Sequence, residues 1–113
     1  QSLLVFFGTY CPDCKQVLPV IEEVWKELKD DPRFLLVTIS RKETAEVVSN
    51  YWKENQFTMP FYLDTRGEVF SLFANNTIPR IYIINPDNEV VWMTVESLDI
   101  SAKELIQKIK GLK

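Results

Sequence analysis

The chain's two cysteines, Cys11 and Cys14, lie in the stretch Gly8-Thr9-Tyr10-Cys11-Pro12-Asp13-Cys14-Lys15 with the spacing C-x-x-C. An apolar run, Leu3 to Phe7, stands directly before them and a long helical pattern directly after, so the motif reads as a strand, a turn and the first turn of a helix. Residues three apart at a helix start can meet disulfide geometry, with Cα atoms roughly 5 to 6 Å apart. Unpaired backbone N–H groups and the positive end of the helix dipole stabilise a thiolate there, and the thiolate is the attacking species in disulfide exchange. The motif therefore predicts a thiol–disulfide redox centre, with Cys11 at the exposed end as nucleophile and Cys14, one turn in and facing the core, as resolving thiol. Buried structural cysteines or half a zinc knuckle are the competing reading, which the helix-start placement and the shortage of further ligands disfavour. Asp13 opposes a second negative charge on Cys11: at about 7 Å and an effective dielectric of about 20 to 80 the cost is on the order of 0.5 to 2.5 kcal/mol. Destabilising the thiolate destabilises the reduced form, so the expected poise is that of a reductant or isomerase rather than a strong oxidase.

The elements around the motif must hold it in place, and 113 residues with 46% apolar content are enough for one domain, residues 1–113, with a single sizeable core. A net charge of −3 gives no electrostatic footprint for nucleic acid, and no apolar run is long enough to span a bilayer. Gln1 stands almost at the first strand with no signal peptide before it, which reads as a domain trimmed at its N-terminus. The absence of histidine argues against Cys-His proteases, two-His zinc peptidases and cysteine-plus-histidine copper sites. No metal and no organic cofactor is expected, because the electrons pass through a redox-active Cys11–Cys14 disulfide.

Leu3 to Phe7 has the composition of a strand buried on both faces in the middle of a sheet. Between Pro12 and Lys29, Val17, Leu18, Ile21, Val24, Trp25 and Leu28 recur at helical spacing, with Glu22, Glu23, Lys26 and Glu27 on the other face and Pro19 expected to kink the helix. Phe34 to Ile39 reads as a second buried strand. Glu43 to Asn55 reads as a helix with Val47, Val48, Tyr51 and Trp52 on its stripe. Thr58 to Leu63, with Pro60 near its start, suits an edge strand. Gly67 to Ala74 predicts a short helix carrying Val69, Phe70 and Phe73, and residues 75–79 a loop. Ile81 to Ile84 and Val90 to Val95 flank the turn Asn85-Pro86-Asp87-Asn88 as an antiparallel hairpin. Ser101 and Glu104 form a capping box for a last helix with Leu105, Ile106, Ile109 and Leu112 inward. The three tryptophans, Trp25, Trp52 and Trp92, read as packing residues. The alternation implies a compact α/β layered sandwich.

With these elements in order, the chain resembles the thioredoxin superfamily, and within it the TlpA/ResA-like thiol-disulfide oxidoreductases. The resemblance rests on LLVFF, TYCPDC, Pro19, MPFYLDTRGEVFSLF, the TIPR tetrapeptide entering a strand, and INPDNEVV, and it spans essentially the whole chain. It implies a thioredoxin-like three-layer sandwich, with a central mixed sheet, helices on both faces, and an added strand at 58 to 63. It also implies that Ile78-Pro79 is a cis peptide packed beside the sulfurs, with the Ile78 backbone pairing to an incoming substrate. Tyr10, Pro12, Asp13, Ile78, Pro79 and Arg80 are then the residues that bind substrate or tune the thiols. Tyr10 replaces the usual tryptophan, and Arg80 stands where a threonine is common. Two acids that serve relatives as proton acceptors for the second cysteine are replaced by Val5 and Val17.

The leading functional expectation is a protein-disulfide oxidoreductase working as a reductant, with protein thiols or disulfides as partners and an upstream electron donor of unknown identity. The alternative is a thioredoxin-fold protein-binding module with a slow or vestigial redox centre, which Val5 and Val17 favour. Peroxidase activity ranks last, for want of a T-x-x-C motif. The resemblance alone implies a location outside the cytoplasm, in a bacterial periplasm or cell envelope, with the cytoplasm as the alternative.

Overall fold

The computed structural model describes residues 2–72, 78, 80–87, 89–95 and 101–110. Among these, strands β1 (Ser2–Phe7), β2 (Leu35–Arg41), β3 (Tyr62–Asp64), β4 (Arg80–Ile84) and β5 (Val90–Val95) form one sheet in the order β3-β2-β1-β4-β5. The helices are α1 (Pro12–Leu28), α2 (Ala45–Asn55), α3 (Glu68–Ser71) and α4 (Ala102–Lys110). The LLVFF run is central, as its composition predicts, parallel to β2 on one side and antiparallel to β4 on the other. The sheet is therefore mixed. Both crossovers β1-α1-β2 and β2-α2-β3 step the same way across it, and right-handed connections put both helices on one face.

Strand alternation divides β1 between two cores. Leu3, Val5 and Phe7 meet α1, α2 and α4, whereas Leu4 and Phe6 meet Phe70 of α3 and Tyr82 on the opposite face. Helices thus cover both faces. Within α1, Val17, Leu18, Ile21, Val24 and Leu28 are buried, and the helix runs unbroken through Pro19. Pro19 lies on the exposed side together with Lys15, whose carbonyl has no helical donor at that position. Ser101 caps α4 by accepting the Glu104 N–H at 3.2 Å, and Asn85 closes the hairpin by accepting the Asp87 and Glu89 N–H groups at 3.0 and 2.9 Å.

The structure corrects the sequence reading in four places. Glu22, assigned to the solvated face of α1, is only 6% exposed. It accepts hydrogen bonds from the backbone N–H of Thr58 and Met59, both at 2.9 Å, and from the Thr58 hydroxyl at 2.6 Å. The strand expected at 58 to 63 is confined to Tyr62–Asp64, because the backbone before it is engaged elsewhere. Its carbonyls are taken as well as its N–H groups: Trp52 Nε1 donates to Met59 O at 2.8 Å and Thr38 Oγ1 to Pro60 O at 2.6 Å. Val47 of α2 is exposed whereas Val48 and Trp52 are buried, so the buried stripe is narrower than expected. Finally, α3 ends at Ser71, with Phe70 buried and Val69 exposed, and Phe73 and Leu112 lie outside the described residues. Trp52 packs against the rings of Phe7, Phe57 and Phe61, which fixes the floor beneath the end of β1.

Removing the Glu22 carboxylate leaves the buried Met59 N–H without its acceptor. Glu22→Ala is expected to lower stability by about 2 to 4 kcal/mol in urea unfolding, and Glu22→Gln by less, since its amide oxygen still accepts. An unchanged midpoint in the alanine variant would show that the 57 to 61 segment is held without Glu22.

Candidate active site

The chain leaves β1 at Gly8, whose carbonyl accepts the Cys11 N–H at 3.1 Å to close a turn. A Cβ at Gly8 would stand 2.7 Å from the Tyr10 ring and 3.0 Å from the Ile78 δ-carbon, so these two side chains lie over the glycine and would have to shift for any larger residue. Cys11 follows as N-cap of α1 in extended conformation, and Pro12 fills the first helical position, where no N–H is needed. The Cys11 sulfur accepts the Cys14 N–H at 3.3 Å and lies 3.7 Å from the Ile78 carbonyl, to which its S–H donates. That N–H and the start of a 17-residue helix face the sulfur on which negative charge would develop during exchange.

Cys14 is 0% exposed and Cys11 7%. Cys11 is thus more enclosed than the sequence predicts, though it remains the more accessible of the two. Burial, and next the hydrogen bond with Cys11, push the Cys14 thiol far above the ordinary thiol range; a backbone hydrogen bond from Gly8 works the other way, and the charges of Cys11 and Asp13 add to the rise. Both thiols are unbridged. Among the described residues no group of three or more His, Cys, Asp or Glu could hold a metal ion, and no helix is long and apolar enough to cross a membrane.

The other sequence-predicted residues are dispersed around this pair. Asp13 is half-buried in the first turn of α1 beside exposed Pro12. Tyr10 is 58% exposed, and its hydroxyl donates to the Arg41 carbonyl at 3.3 Å. Burial raises the Tyr10 phenol while the Arg41 guanidinium opposes the shift. Arg80 is not beside the thiols: it pairs with Phe6 in the sheet and its guanidinium lies 5.9 Å from the Phe70 ring, on the face opposite the core that holds Cys14. Pro79, and with it the geometry of the Ile78-Pro79 bond, lies outside the described residues. Val5 and Val17 are buried in the Cys14 core.

Three residues that sequence reasoning missed complete the turn. Thr9 donates its N–H to Glu43 Oε1 at 2.8 Å and its hydroxyl to Glu43 Oε2, and Ser40 donates its hydroxyl to Oε1 at 2.7 Å. One signal was available: Ser40 and Glu43 lie at the C-terminal end of a strand parallel to β1, the end at which the motif must emerge. Tyr51 of α2 belongs to the same neighbourhood, its phenol raised by burial and then by the charges of Cys14, Cys11 and Glu43.

At neutral pH iodoacetamide is expected to label Cys11, while Cys14 in a Cys11→Ser variant stays unlabelled until the pH is well above the ordinary thiol range. Cys14 labelling at pH 8 in the folded protein would contradict its burial. The same shift sets a sign for stability. Above about pH 8.5 the unfolded Cys14 releases its proton and the folded one keeps it, so its stabilisation is complete below that pH and is lost as the pH rises towards the folded value.

A thioredoxin-like family model matches residues 2–90. Among curated proteins, the chain is 27% identical over 92 residues to sporulation thiol-disulfide oxidoreductase A of Bacillus subtilis, covering 80% of this chain and 56% of that protein. It is 31% identical over 88 residues to thiol-disulfide oxidoreductase ResA of Oceanobacillus iheyensis, covering 78% of this chain and 45% of that one. The chain therefore spans about half the length of the curated relatives it matches. The crystal structure of StoA from Bacillus subtilis superposes with a TM-score of 0.81 at 27% identity, over 94% of this chain and 79% of that chain. A solution structure from Bacteroides thetaiotaomicron gives 0.90 at 28% identity, over 98% and 72%. The family match runs through β1, the Gly8 turn and the helix start that hold Cys11 and Cys14, and the chain belongs to the thioredoxin-like family.

Proposed function

We propose that the protein is a thiol–disulfide oxidoreductase that reduces disulfides of protein substrates. The observation that carries this reading is the pairing of a wholly buried Cys14, kept protonated by its surroundings, with the slightly more accessible Cys11, whose sulfur receives the Cys14 N–H. Cys11 as thiolate attacks one substrate sulfur, the substrate S–S bond breaks, and the departing sulfur leaves with the electron pair and takes up a proton. Cys14 then loses its proton and attacks Cys11, releasing the second substrate thiol and leaving a Cys11–Cys14 disulfide. Two electrons from an upstream donor, a dithiol by chemical class, regenerate the thiols. The Ile78 carbonyl borders the attacking sulfur and the Tyr10 ring lies over the neighbouring Gly8, so that together they offer a backbone carbonyl and an aromatic face to an incoming chain.

Asp13 supports the reducing direction, since its carboxylate acts against negative charge at this helix start. The relatives' names support the exchange chemistry. A location outside the cytoplasm is part of the same reading, supported by solved relatives described as a secreted oxidoreductase and an exposed lipoprotein.

Cys14→Ser removes the attack that releases substrate, so the variant is expected to accumulate Cys11 mixed disulfides with partner proteins on non-reducing gels. A variant with reactive Cys11 and no disulfide-linked partner would sink the assigned roles. Turnover in insulin reduction separates the oxidoreductase from a binding module, which would show little even when fully reduced. Asp13→Asn is expected to shift the equilibrium with glutathione towards oxidising, by up to a few tens of millivolts; an unchanged equilibrium would show that Asp13 does not set the poise.

A further inference from the structure

The exchange mechanism leaves one buried carboxylate at the site without a part. Glu43 lies two residues beyond β2 and is turned back over the end of the sheet. The chain is reversed there by Lys42, in the left-handed region at φ 58°, whose N–H donates to Asp64 O at 2.8 Å. Thr44 then caps α2 by accepting the Val47 N–H at 3.4 Å. Glu43 is therefore held between a strand end and a helix start. Its three donors are the Thr9 N–H, the Thr9 hydroxyl and the Ser40 hydroxyl.

Burying a carboxylate is costly unless its hydrogen bonds are made, so its presence here calls for a reason. Thr9 provides one. Backbone and side-chain donors of a single residue end on the two oxygens of one carboxylate, which fixes both the backbone and the χ1 of Thr9. The next residue, Tyr10, is tied to the same loop through the Arg41 carbonyl. Two successive residues of the redox turn are thus anchored to a segment 31 to 34 positions away. Cys11 is the residue after them, and its sulfur must stand between the Cys14 N–H and the Ile78 carbonyl. With both oxygens occupied by donors from Thr9 and Ser40, Glu43 acts on the turn's geometry rather than taking a proton from a thiol.

We propose that Glu43 is a positioning residue for disulfide exchange: it holds Thr9, and through Thr9 the turn that aims the Cys11 sulfur. This rests on the exchange reading above. The test is the rate at which reduced protein attacks oxidised glutathione, far from the unfolding transition, beside the rate of Cys11 alkylation by iodoacetamide and a urea midpoint for each variant. Glu43→Ala is expected to slow both Cys11 reactions by about 10- to 100-fold, and Glu43→Gln to restore them to within about threefold of wild type. The amide oxygen can take the Thr9 N–H and the Ser40 hydroxyl, while the amide N–H₂ donates to the Thr9 oxygen. Thr9→Val, which keeps the N–H and loses the hydroxyl, is expected to fall between, and adding it to Glu43→Ala to cost nothing further. A lower urea midpoint with unchanged rates in the folded protein would overturn the proposal by showing a merely structural role. A glutamine variant as slow as the alanine variant would overturn it in favour of charge. If Glu43→Ala does not fold, Thr9→Val decides, and wild-type rates there overturn the proposal. Wild-type protein that alkylates normally but exchanges with no disulfide would remove the exchange reading instead, and alkylation across the variants would still judge Glu43.

Discussion

The central constraint is that β1 is buried on both faces. A strand with Leu3, Val5 and Phe7 in one core and Leu4 and Phe6 in the other needs a helical layer against each, and it must sit between two other strands. Its C-terminal end then emerges in the middle of the molecule, between layers, where its partner strands end or begin. In the turn from that end into α1, Gly8 lets the Tyr10 and Ile78 side chains close directly over the backbone. Burial of the strand thus dictates where the thiols appear, and the helix that follows dictates which sulfur meets an N–H group and which is sealed in the core.

Two buried carboxylates hold the loops that this arrangement leaves without sheet or helix partners. Glu22 collects two N–H groups of the segment leading to β3, and Glu43 the Thr9 N–H of the turn leading to α1. Each spans more than 30 positions of sequence. They do what ladder pairing does elsewhere, satisfying backbone donors that would otherwise be buried alone. The difference is that a carboxylate fixes a point rather than a line. That suits a strap beneath β3 and a turn beneath a nucleophile, where an extended strand would not fit.

This explains what the sequence could and could not disclose. Unbroken hydrophobicity in Leu3 to Phe7, helical spacing from Val17 to Leu28 and the turn chemistry of Asn85 are local, and each gave its element close to the observed bounds. C-x-x-C at a helix start is equally local, so Cys11 and Cys14 were legible in their places. Glu22 was misread because periodicity takes a charged residue within an amphipathic helix for a solvated one; its donors stand 36 and 37 positions away. Thr58 to Pro60 has strand composition, but its backbone was already committed to Glu22, Trp52 and Thr38. Arg80 follows a motif residue in sequence, yet strand alternation turns it to the Phe70 face, away from the thiols.

Under the proposed mechanism, the proton on Cys14 becomes the remaining chemical problem. Burial makes its thiolate unfavourable, and Val5 and Val17 place apolar groups in the core around it. The enclosure that protects Cys14 at rest therefore opposes the step in which it must act. Formation of the mixed disulfide changes the balance, because the substrate sulfur that leaves first departs as a thiolate beside Cys11, the more accessible of the two cysteines. That sulfur, or water entering with it, is a base delivered by the reaction itself, next to the thiol that needs one. A resolving thiol arranged in this way is inert in the free protein and gains a proton acceptor when a substrate disulfide has been opened. Coupling deprotonation to substrate in this manner requires the Cys11 sulfur to be held in register with both Cys14 and the incoming chain, which is the service that the Gly8 turn and its anchor on Glu43 perform.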